Sequence, residues 1–351
     1  MFIRIVLRIC CAVVLGECCT LPANATTGPG PQKTEIAAGV YQFVSPDIAG
    51  NVNGNSVAIV TERDILVFDT DLLPSSAHDV LQEIRKLTRK PVRYVVNSHW
   101  HPDHSGGNEI YVREFPDLEI IATSDTRRLM ENTMAVYVKT LEYEAALAFQ
   151  NVDDKTLTAK DREELQAQRQ QEDSFLAEYK SAHPKLPTLT FDDTLTLYHG
   201  GREFQLMHLV GHTSGDLALY LPVERILLTG DLLAYPVPFC ADSHPSRWIS
   251  SLETLSRLNA TTIIPGHGEA QHDQAYLNLV LNSLQTIHGQ VQAALRRGLT
   301  LKETLQSVNL DAIRLKFTHD DPELNASFDG NFTPIVRQMY DEDTEGLELY
   351  Q

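Results

Sequence analysis

The chain has 351 residues, of which 42% are hydrophobic and 22% are charged. These proportions are typical of a folded globular protein with one large domain or two smaller ones, and a core of that size needs no disulfide bonds. The formal net charge of −18 repels phosphate groups and anionic lipids, so the composition argues against a nucleic-acid partner.

Residues 1–25 have the pattern of a cleaved secretory signal peptide. Two arginines precede an apolar run over residues 9–16, and Ala23-x-Ala25 fits a cleavage site. The run is too short to span a bilayer, which takes about 20 apolar residues. We therefore expect an exported protein, periplasmic or secreted, with no membrane attachment after cleavage. Only Cys240 would then remain of the five cysteines, so no intramolecular disulfide is expected.

Short strands alternate with helices along the next part of the chain. Residues 26–34 are rich in Thr, Gly and Pro and predict a loose leader. Apolar residues at helical spacing predict a helix from Pro74 that ends before Pro91, and another from Asp125. Runs rich in Val, Ile and Phe predict strands at 39–44, 56–61, 65–70, 92–96 and 118–122.

A polar stretch at about 133–185 is rich in Ala, Glu, Gln and Lys and predicts a helical insertion. It is either a solvated surface decoration or a lid or dimer contact beside a functional site. Helices are expected again from about residue 272 to the end. Further strands are predicted at 189–197, 203–209, 217–221, 226–228 and 262–264. This order of elements indicates an α/β fold in which helices cover sheets.

One short stretch concentrates side chains that bind metals. Residues 97–108 have the sequence N-S-H-W-H-P-D-H-S-G-G-N, so His99, His101, Asp103 and His104 lie within six positions. Imidazole nitrogens and carboxylate oxygens are the usual ligands of zinc and similar divalent metals. Three histidines and an acid so close together predict a metal site.

Three further donors each follow an apolar run. His212 lies in L-V-G-H-T-S-G, Asp231 in I-L-L-T-G-D, and His267 in I-I-P-G-H-G. Sites in layered α/β folds are assembled at strand ends, and a glycine beside each donor lets the main chain turn sharply. We therefore expect these three side chains to belong to the same metal site.

These motifs, in this order, resemble those of the metallo-β-lactamase superfamily. The resemblance covers roughly residues 35–270, with the helical insertion at about 133–185 as an added part and residues 271–351 as a C-terminal helical extension. It implies an α/β fold, a four-layer αβ/βα sandwich with the metals at one edge. Asp69 matches the acid that supports the metal-binding loop from behind, or else it caps a turn. The implied ligands are His99, His101 and His212 for a first metal, Asp103, His104 and His267 for a second, and Asp231 as the bridge.

The chemistry implied by the resemblance is hydrolysis. Two divalent ions about 3.5–4 Å apart can share a water and lower its pKa, which gives hydroxide near neutral pH. We expect this bridging hydroxide to attack the carbonyl of a small-molecule substrate: a β-lactam, lactone, ester or thioester. Asp103, which could also shuttle a proton, and Asp231 would be the catalytic carboxylates. Two zinc ions per chain are expected, with iron or manganese as alternatives.

Two other functions stay open on the sequence alone. Asp231 stands where the best-known zinc β-lactamases carry a cysteine, so the sequence looks more like the hydroxyacylglutathione hydrolase and lactonase branches. Related proteins with the same motif bind one iron and oxidise persulfides, and others are non-catalytic or redox-associated periplasmic proteins. The complete second set of ligands favours the dinuclear hydrolase.

Four other residues have alternative roles. Trp100 either lines the pocket or packs in the interior. Cys240 is expected to be a buried small hydrophobe rather than a thiol near zinc. His244 is expected in an exposed loop rather than on the substrate, and Asn108 is expected to cap a helix. A dimer could form through the helical insertion.

Overall fold

The structure, a computed structural model, describes residues 30–149, 158–240 and 243–345. The predicted signal peptide, residues 1–25, lies outside the described residues. The chain divides into two compact units: residues 30–193 with 198–202, and residues 194–197 with those from 203 onward. Within the described ranges, no helix is both long and apolar enough to cross a membrane.

The first unit is built on a seven-stranded sheet whose strands lie side by side in chain order. The pairs from the first to the fourth strand are antiparallel, and those from the fourth to the seventh are parallel. Parallel neighbours need a crossover connection, and each crossover here contains a helix. The strands are β1 (Gln32–Ala37), β2 (Val40–Val44), β3 (Ser56–Val60), β4 (Ile65–Phe68), β5 (Val92–Val96), β6 (Glu119–Thr123) and β7 (Leu189–Phe191).

The helices of this unit fill those crossovers. They are α1 (Pro74–Leu87), α2 (Pro102–Ser105), α3 (Asn108–Glu114), α4 (Ser124–Ala148) and α5 (Ala159–Ser181). Pro74 occupies the first position of α1, where the missing N–H costs no hydrogen bond. Val80, Leu81 and Ile84 then face the sheet from one side of α1 and form its buried core.

Helices α4 and α5 lie in the predicted insertion. A capping box at Thr158 starts α5, because its hydroxyl and the carboxylate of Asp161 each accept from the other's N–H. Both helices contribute to a buried apolar cluster with the loop that follows β4. Its members are Leu72, Leu73, Leu141, Phe175 and Tyr179. The insertion is therefore anchored in the interior of the first unit.

The second unit contains most of a five-stranded sheet with the order β12-β11-β10-β9-β8. The middle strands are antiparallel, and the pair of β11 and β12 is parallel. The strands are β8 (Thr194–His199), β9 (Arg202–His208), β10 (Leu217–Leu221), β11 (Ile226–Leu228) and β12 (Thr262–Ile264).

The C-terminal helices share one hydrophobic core with this sheet. Trp248 in α6, Leu277 in α7 and Phe328 after α10 are fully buried with Leu227 and Ile263 of the strands. The helices are α6 (Pro245–Arg257), α7 (Ala275–Arg296), α8 (Leu301–Ser307), α9 (Asp311–Thr318), α10 (Pro322–Ser327) and α11 (Ile335–Glu345), with a 3-10 turn at Gly230–Leu232 and a π-helical turn at Phe328–Phe332. Residues beyond 271 thus stabilise the same unit as the strands.

The structure differs from the sequence prediction in three places. The last residues of the predicted leader belong to β1, an edge strand whose exposed polar side chains carry no apolar pattern. The predicted strand at 189–197 is interrupted by a bend at residues 192–193, which separates β7 from β8. Helix α6 was not predicted.

Candidate metal centre

Residues 97–108, called the metal loop below, begin where β5 ends. The ring of His99 lies 4.6 Å from that of His101 and 4.3 Å from that of His104, measured between ring centroids. His99 and His104 are fully buried, and His101 is partly exposed. The metal loop therefore brings three of the predicted histidine ligands together within the first unit.

His104 is oriented by a buried carboxylate. Its Nδ1 lies 2.9 Å from Oδ2 of Asp69, and the other carboxylate oxygen accepts a 2.7 Å hydrogen bond from the Ser98 N–H. Burial raises the pKa of Asp69, and the contacts with His104 and Ser98 partly counteract this effect. The predicted support of the metal loop by Asp69 is confirmed, since the carboxylate contacts the loop at two points.

The other ring nitrogen of His104 faces Asp103. Its Nε2 is 3.3 Å from the Asp103 Oδ2, and the main chain of Gly54 lies against both residues. A Cβ atom at Gly54 would lie 2.6 Å from Cε1 of His104 and 2.7 Å from the carbonyl oxygen of Asp103. Only glycine fits there without displacing His104 or Asp103. Sequence reasoning missed Gly54 because this contact is distant along the chain.

In the second unit, His212 is oriented by a main-chain carbonyl. The carbonyl oxygen of Phe239 can only accept, so His212 Nδ1 donates to it at 3.0 Å. A proton on Nδ1 leaves the lone pair on Nε2, the nitrogen that would bind a metal. That Nε2 lies 3.6 Å from Oδ2 of Asp231.

Asp231 lies between two histidines of the second unit. The same Oδ2 that faces His212 is 3.4 Å from Nε2 of His267. Gly266 makes room for this carboxylate, because a Cβ atom there would lie 2.0 Å from Oδ1 of Asp231. The second unit thus brings its three predicted ligands together.

Asp216 supports the turn that carries His212, and sequence reasoning missed it. Its carboxylate accepts from the N–H of Thr213 at 2.8 Å and from the hydroxyl of Thr213 at 2.5 Å. Burial raises the pKa of Asp216 to about 6, although the nearby His212 and the two Thr213 hydrogen bonds lower it in part. A short acidic side chain three residues after a threonine was the available signal, because such residues often bond to nearby backbone.

The distances between these donors suit metal binding. Two ligand atoms at about 2.1 Å from a tetrahedral ion lie about 3.4 Å apart. The observed nitrogen-to-oxygen distances are 3.3 Å for His104 and Asp103, 3.4 Å for His267 and Asp231, and 3.6 Å for His212 and Asp231. The described residues therefore contain clustered histidines and aspartates that could hold metal ions.

Comparison with known protein families shows which superfamily the chain belongs to. The model of the metallo-beta-lactamase superfamily matches residues 49–267, which is more than half of the chain and includes every predicted metal ligand. The chain belongs to the metallo-β-lactamase superfamily. This superfamily includes metal-dependent hydrolases and has an α/β fold of two sheets and flanking helices, so the predicted family and fold class are confirmed.

Two relatives of this superfamily member are similar over much of its length. A linear primary-alkylsulfatase from a Pseudomonas species is 25% identical over 303 residues, which are 80% of this chain and 54% of the relative. A beta-lactamase-like protein 2 homolog from Caenorhabditis elegans is 25% identical over 189 residues, 54% of this chain and 46% of the relative. The chain spans about half the length of these curated relatives.

Solved structures support the fold. A stereoselective inverting sec-alkylsulfatase from a Pseudomonas species matches with a TM-score of 0.63 at 17% identity, covering 89% of this chain and 50% of that one. A metallo-beta-lactamase from Pontibacter korlensis matches with a TM-score of 0.52 at 21% identity, covering 73% of this chain and 99% of that one. At such low sequence identities, these two matches support the fold of the chain and do not indicate its substrate.

Three other predicted residues lie as follows. Trp100 is half-buried, and its ring lies 4.4 Å from that of His101. Cys240 is fully buried in the core of the second unit, as predicted, and burial raises the pKa of its thiol. His244 lies in a loop, as predicted, but the prediction that it is exposed is wrong. It is partly buried at the start of α6, where its N–H donates to the Gly211 carbonyl.

The helix-cap prediction for Asn108 is also wrong. Asn108 is the first residue of α3, and the capping position belongs to Gly107, which makes no side-chain cap hydrogen bond. The side chain of Asn108 is fully buried and bonds elsewhere. Its amide nitrogen donates to Oδ1 of Asn97, a contact that sequence spacing does not reveal.

Proposed function

We propose that this protein is a dinuclear metal-dependent hydrolase. The observation that carries the proposal is the orientation of the imidazoles. His104 and His212 each bond through Nδ1 to a protein oxygen and face a carboxylate with Nε2. If two ions bind, His99, His101 and His212 would hold one, Asp103, His104 and His267 would hold the other, and Asp231 would be the shared ligand.

Zinc is the proposed ion. Imidazole and carboxylate donors suit zinc, and they also accept iron or manganese. A bound divalent ion supplies Lewis acidity, which activates water and polarises the substrate carbonyl. Metal analysis of the purified protein tests this part of the proposal, and two zinc ions per chain are expected.

Residues around the candidate ligands orient the imidazoles and leave one carboxylate accessible to water. Asp69 and the Phe239 carbonyl fix the rings of His104 and His212, so the Nε2 lone pairs keep their direction when a substrate binds. The Asp103 side chain is 17% exposed, so water reaches its carboxylate. Asp103 is therefore suited to take a proton from the attacking water and to pass it to the leaving group.

The proposed substrates are small carbonyl compounds: β-lactams, lactones, esters and thioesters. The test strips the protein with a chelator, restores zinc, and measures hydrolysis of one member of each class. We expect at least one class to be hydrolysed, with activity lost on chelation and regained with about two equivalents of zinc. One iron per chain with uptake of oxygen would support persulfide oxidation instead, and failure to bind any metal would support neither enzyme.

A second candidate is the hydrolysis of alkyl sulfates. It is favoured by the similarity to the linear primary-alkylsulfatase, which extends over 80% of this chain. Release of inorganic sulfate from n-octyl sulfate by the zinc-restored protein measures this activity. Sulfate release without hydrolysis of any carbonyl compound would select this candidate over the first.

We also propose that the protein is exported. The support is the charge and apolar pattern of residues 1–25. Expression of the full chain in a bacterium, followed by fractionation and mass determination, should give a periplasmic or secreted form that begins near Thr26. A full-length form in the cytoplasm would contradict the proposal.

A further inference from the structure

Two buried asparagines stand at the two ends of the metal loop and bond to each other. Nδ2 of Asn108 donates to Oδ1 of Asn97 at 2.8 Å, and Nδ2 of Asn97 donates to Oδ1 of Asn108 at 3.1 Å. Both side chains are fully buried. This reciprocal amide pair joins the first residue of the loop to the last, so it closes the loop that carries four proposed ligands.

The remaining polar groups of the pair are also satisfied. The second amide hydrogen of Asn108 goes to the carbonyl of Lys185 at 2.9 Å, and its oxygen also accepts from the Thr70 hydroxyl at 2.9 Å. The second amide hydrogen of Asn97 goes to the carbonyl of His104 at 3.1 Å. A buried amide with missing partners is destabilising, whereas one with all partners made is tolerated and specifies one arrangement.

These bonds converge on the main chain of His104. Its carbonyl oxygen accepts from the Asn97 amide and, at 2.9 Å, from the N–H of Thr70. Asp69 holds the ring of the same residue. His104 is therefore fixed at the ring and at the main chain, and the main-chain contacts depend on two residues that Asn108 holds.

We propose that Asn108 is a positioning residue for the metal centre. Its bonds to Asn97 and Thr70 hold the two residues that position the main chain of His104. Its bond to the Lys185 carbonyl links the metal loop to the segment that follows α5. The inference rests on the proposed function, because His104 matters in this way only if it binds a metal. No contact of Asn108 with metal or substrate is needed for this role.

The decisive variant is Asn108→Asp. It keeps the size of the side chain but replaces the amide donors by a carboxylate oxygen, which would face the acceptor oxygens of Asn97 and Lys185. We expect the metal-free variant to unfold cooperatively and to bind Zn²⁺ about 10-fold or more weakly than the unmodified protein, by competition with a chromophoric chelator. We also expect a changed visible absorption spectrum with bound Co²⁺. Asn282→Asp makes the same chemical change at an exposed site in α7 and should change neither quantity.

If Asn108→Asp does not fold, a matched pair of variants at Thr70 tests the same inference. Thr70→Ser keeps the hydroxyl that reaches Asn108, and Thr70→Val removes it at nearly equal volume. The inference predicts near-normal Zn²⁺ affinity and Co²⁺ spectrum for the serine variant, and weaker binding with an altered spectrum for the valine variant. Unchanged affinity and spectrum in Asn108→Asp, or no difference between the Thr70 variants, would overturn the inference while leaving the hydrolase proposal intact. If the unmodified protein binds no metal, the hydrolase proposal itself fails.

Discussion

The Oδ2 atom of Asp69 lies 2.9 Å from Nδ1 of His104, and both side chains are buried. Asp69 also has a positive φ of 59°, a backbone region that aspartate and asparagine tolerate better than most residues. The chain therefore places an acid in an unusual conformation immediately after β4, where it contacts the metal loop.

Asp69→Asn should weaken zinc binding about 10- to 100-fold, because the ring of His104 loses a charged partner while the backbone conformation remains accessible. Equilibrium competition with a chromophoric chelator measures the affinity. Asp79→Asn, at an exposed acid in α1, should leave it unchanged. Equal zinc affinity in the Asp69 and Asp79 variants would show that the carboxylate does not orient a ligand.

Asp231→Ala should remove one metal ion per chain and lower hydrolysis roughly 100-fold or more, since one carboxylate oxygen faces both His212 and His267. Elemental analysis of the metal-restored variant and its kcat on whichever substrate the wild type hydrolyses test this. Asp193→Ala, at an exposed position, is the matched control. Full activity in Asp231→Ala would refute a dinuclear mechanism.

Sequence pattern predicted the candidate metal donors because their chemistry is local. His99, His101 and His104 fall in one loop after a buried strand, and Asp231 and His267 each follow a short apolar run beside a glycine. Such strand-end positions are readable from hydrophobic runs and turn residues alone. The strand and helix order was predictable for the same reason.

The contacts that orient the donors were not predictable. The Phe239 carbonyl, the missing side chain of Gly54 and the amide of Asn108 act through positions that are distant along the chain. Every residue has a main-chain carbonyl, so no sequence motif identifies the one that orients His212. Helix α6 is different, because Trp248, Leu252 and Leu255 have helical spacing after Pro245 and gave a usable signal.

Asp216 should make the metal-free protein less stable as the pH rises. An acid whose pKa is higher in the folded state binds its proton more tightly there, so its contribution to the free energy of unfolding is complete below about pH 4 and is lost as the pH rises through about 6. The difference between about 6 and the ordinary value of 3.8 corresponds to about 3 kcal/mol.

Asp216→Asn has no such ionisation, so its stability relative to the wild type should increase between pH 4 and 6.5. Urea unfolding of metal-free protein at a series of pH values gives the slope. Asp193→Asn should keep the wild-type slope, because its carboxylate is exposed. A slope in Asp216→Asn equal to that of the wild type would mean that this group does not titrate in the stated range.

Two leucines of helix α4 in the helical insertion differ in exposure. Leu141 in α4 is 5% exposed and packs with Leu72 and Phe175, whereas Leu147 is 45% exposed. Leu141→Ala should lower the free energy of unfolding by about 2–5 kcal/mol, since it leaves a cavity in a packed cluster. Leu147→Ala should change it by less than about 1 kcal/mol, because a surface side chain leaves no cavity. Both variants make the same Leu-to-Ala change in one helix, so the difference in urea unfolding reports mainly packing. If both variants lose the same small amount, α4 does not pack against the loop after β4. If only Leu141→Ala is destabilised and it also binds zinc more weakly, the insertion supports the segment that carries Asp69.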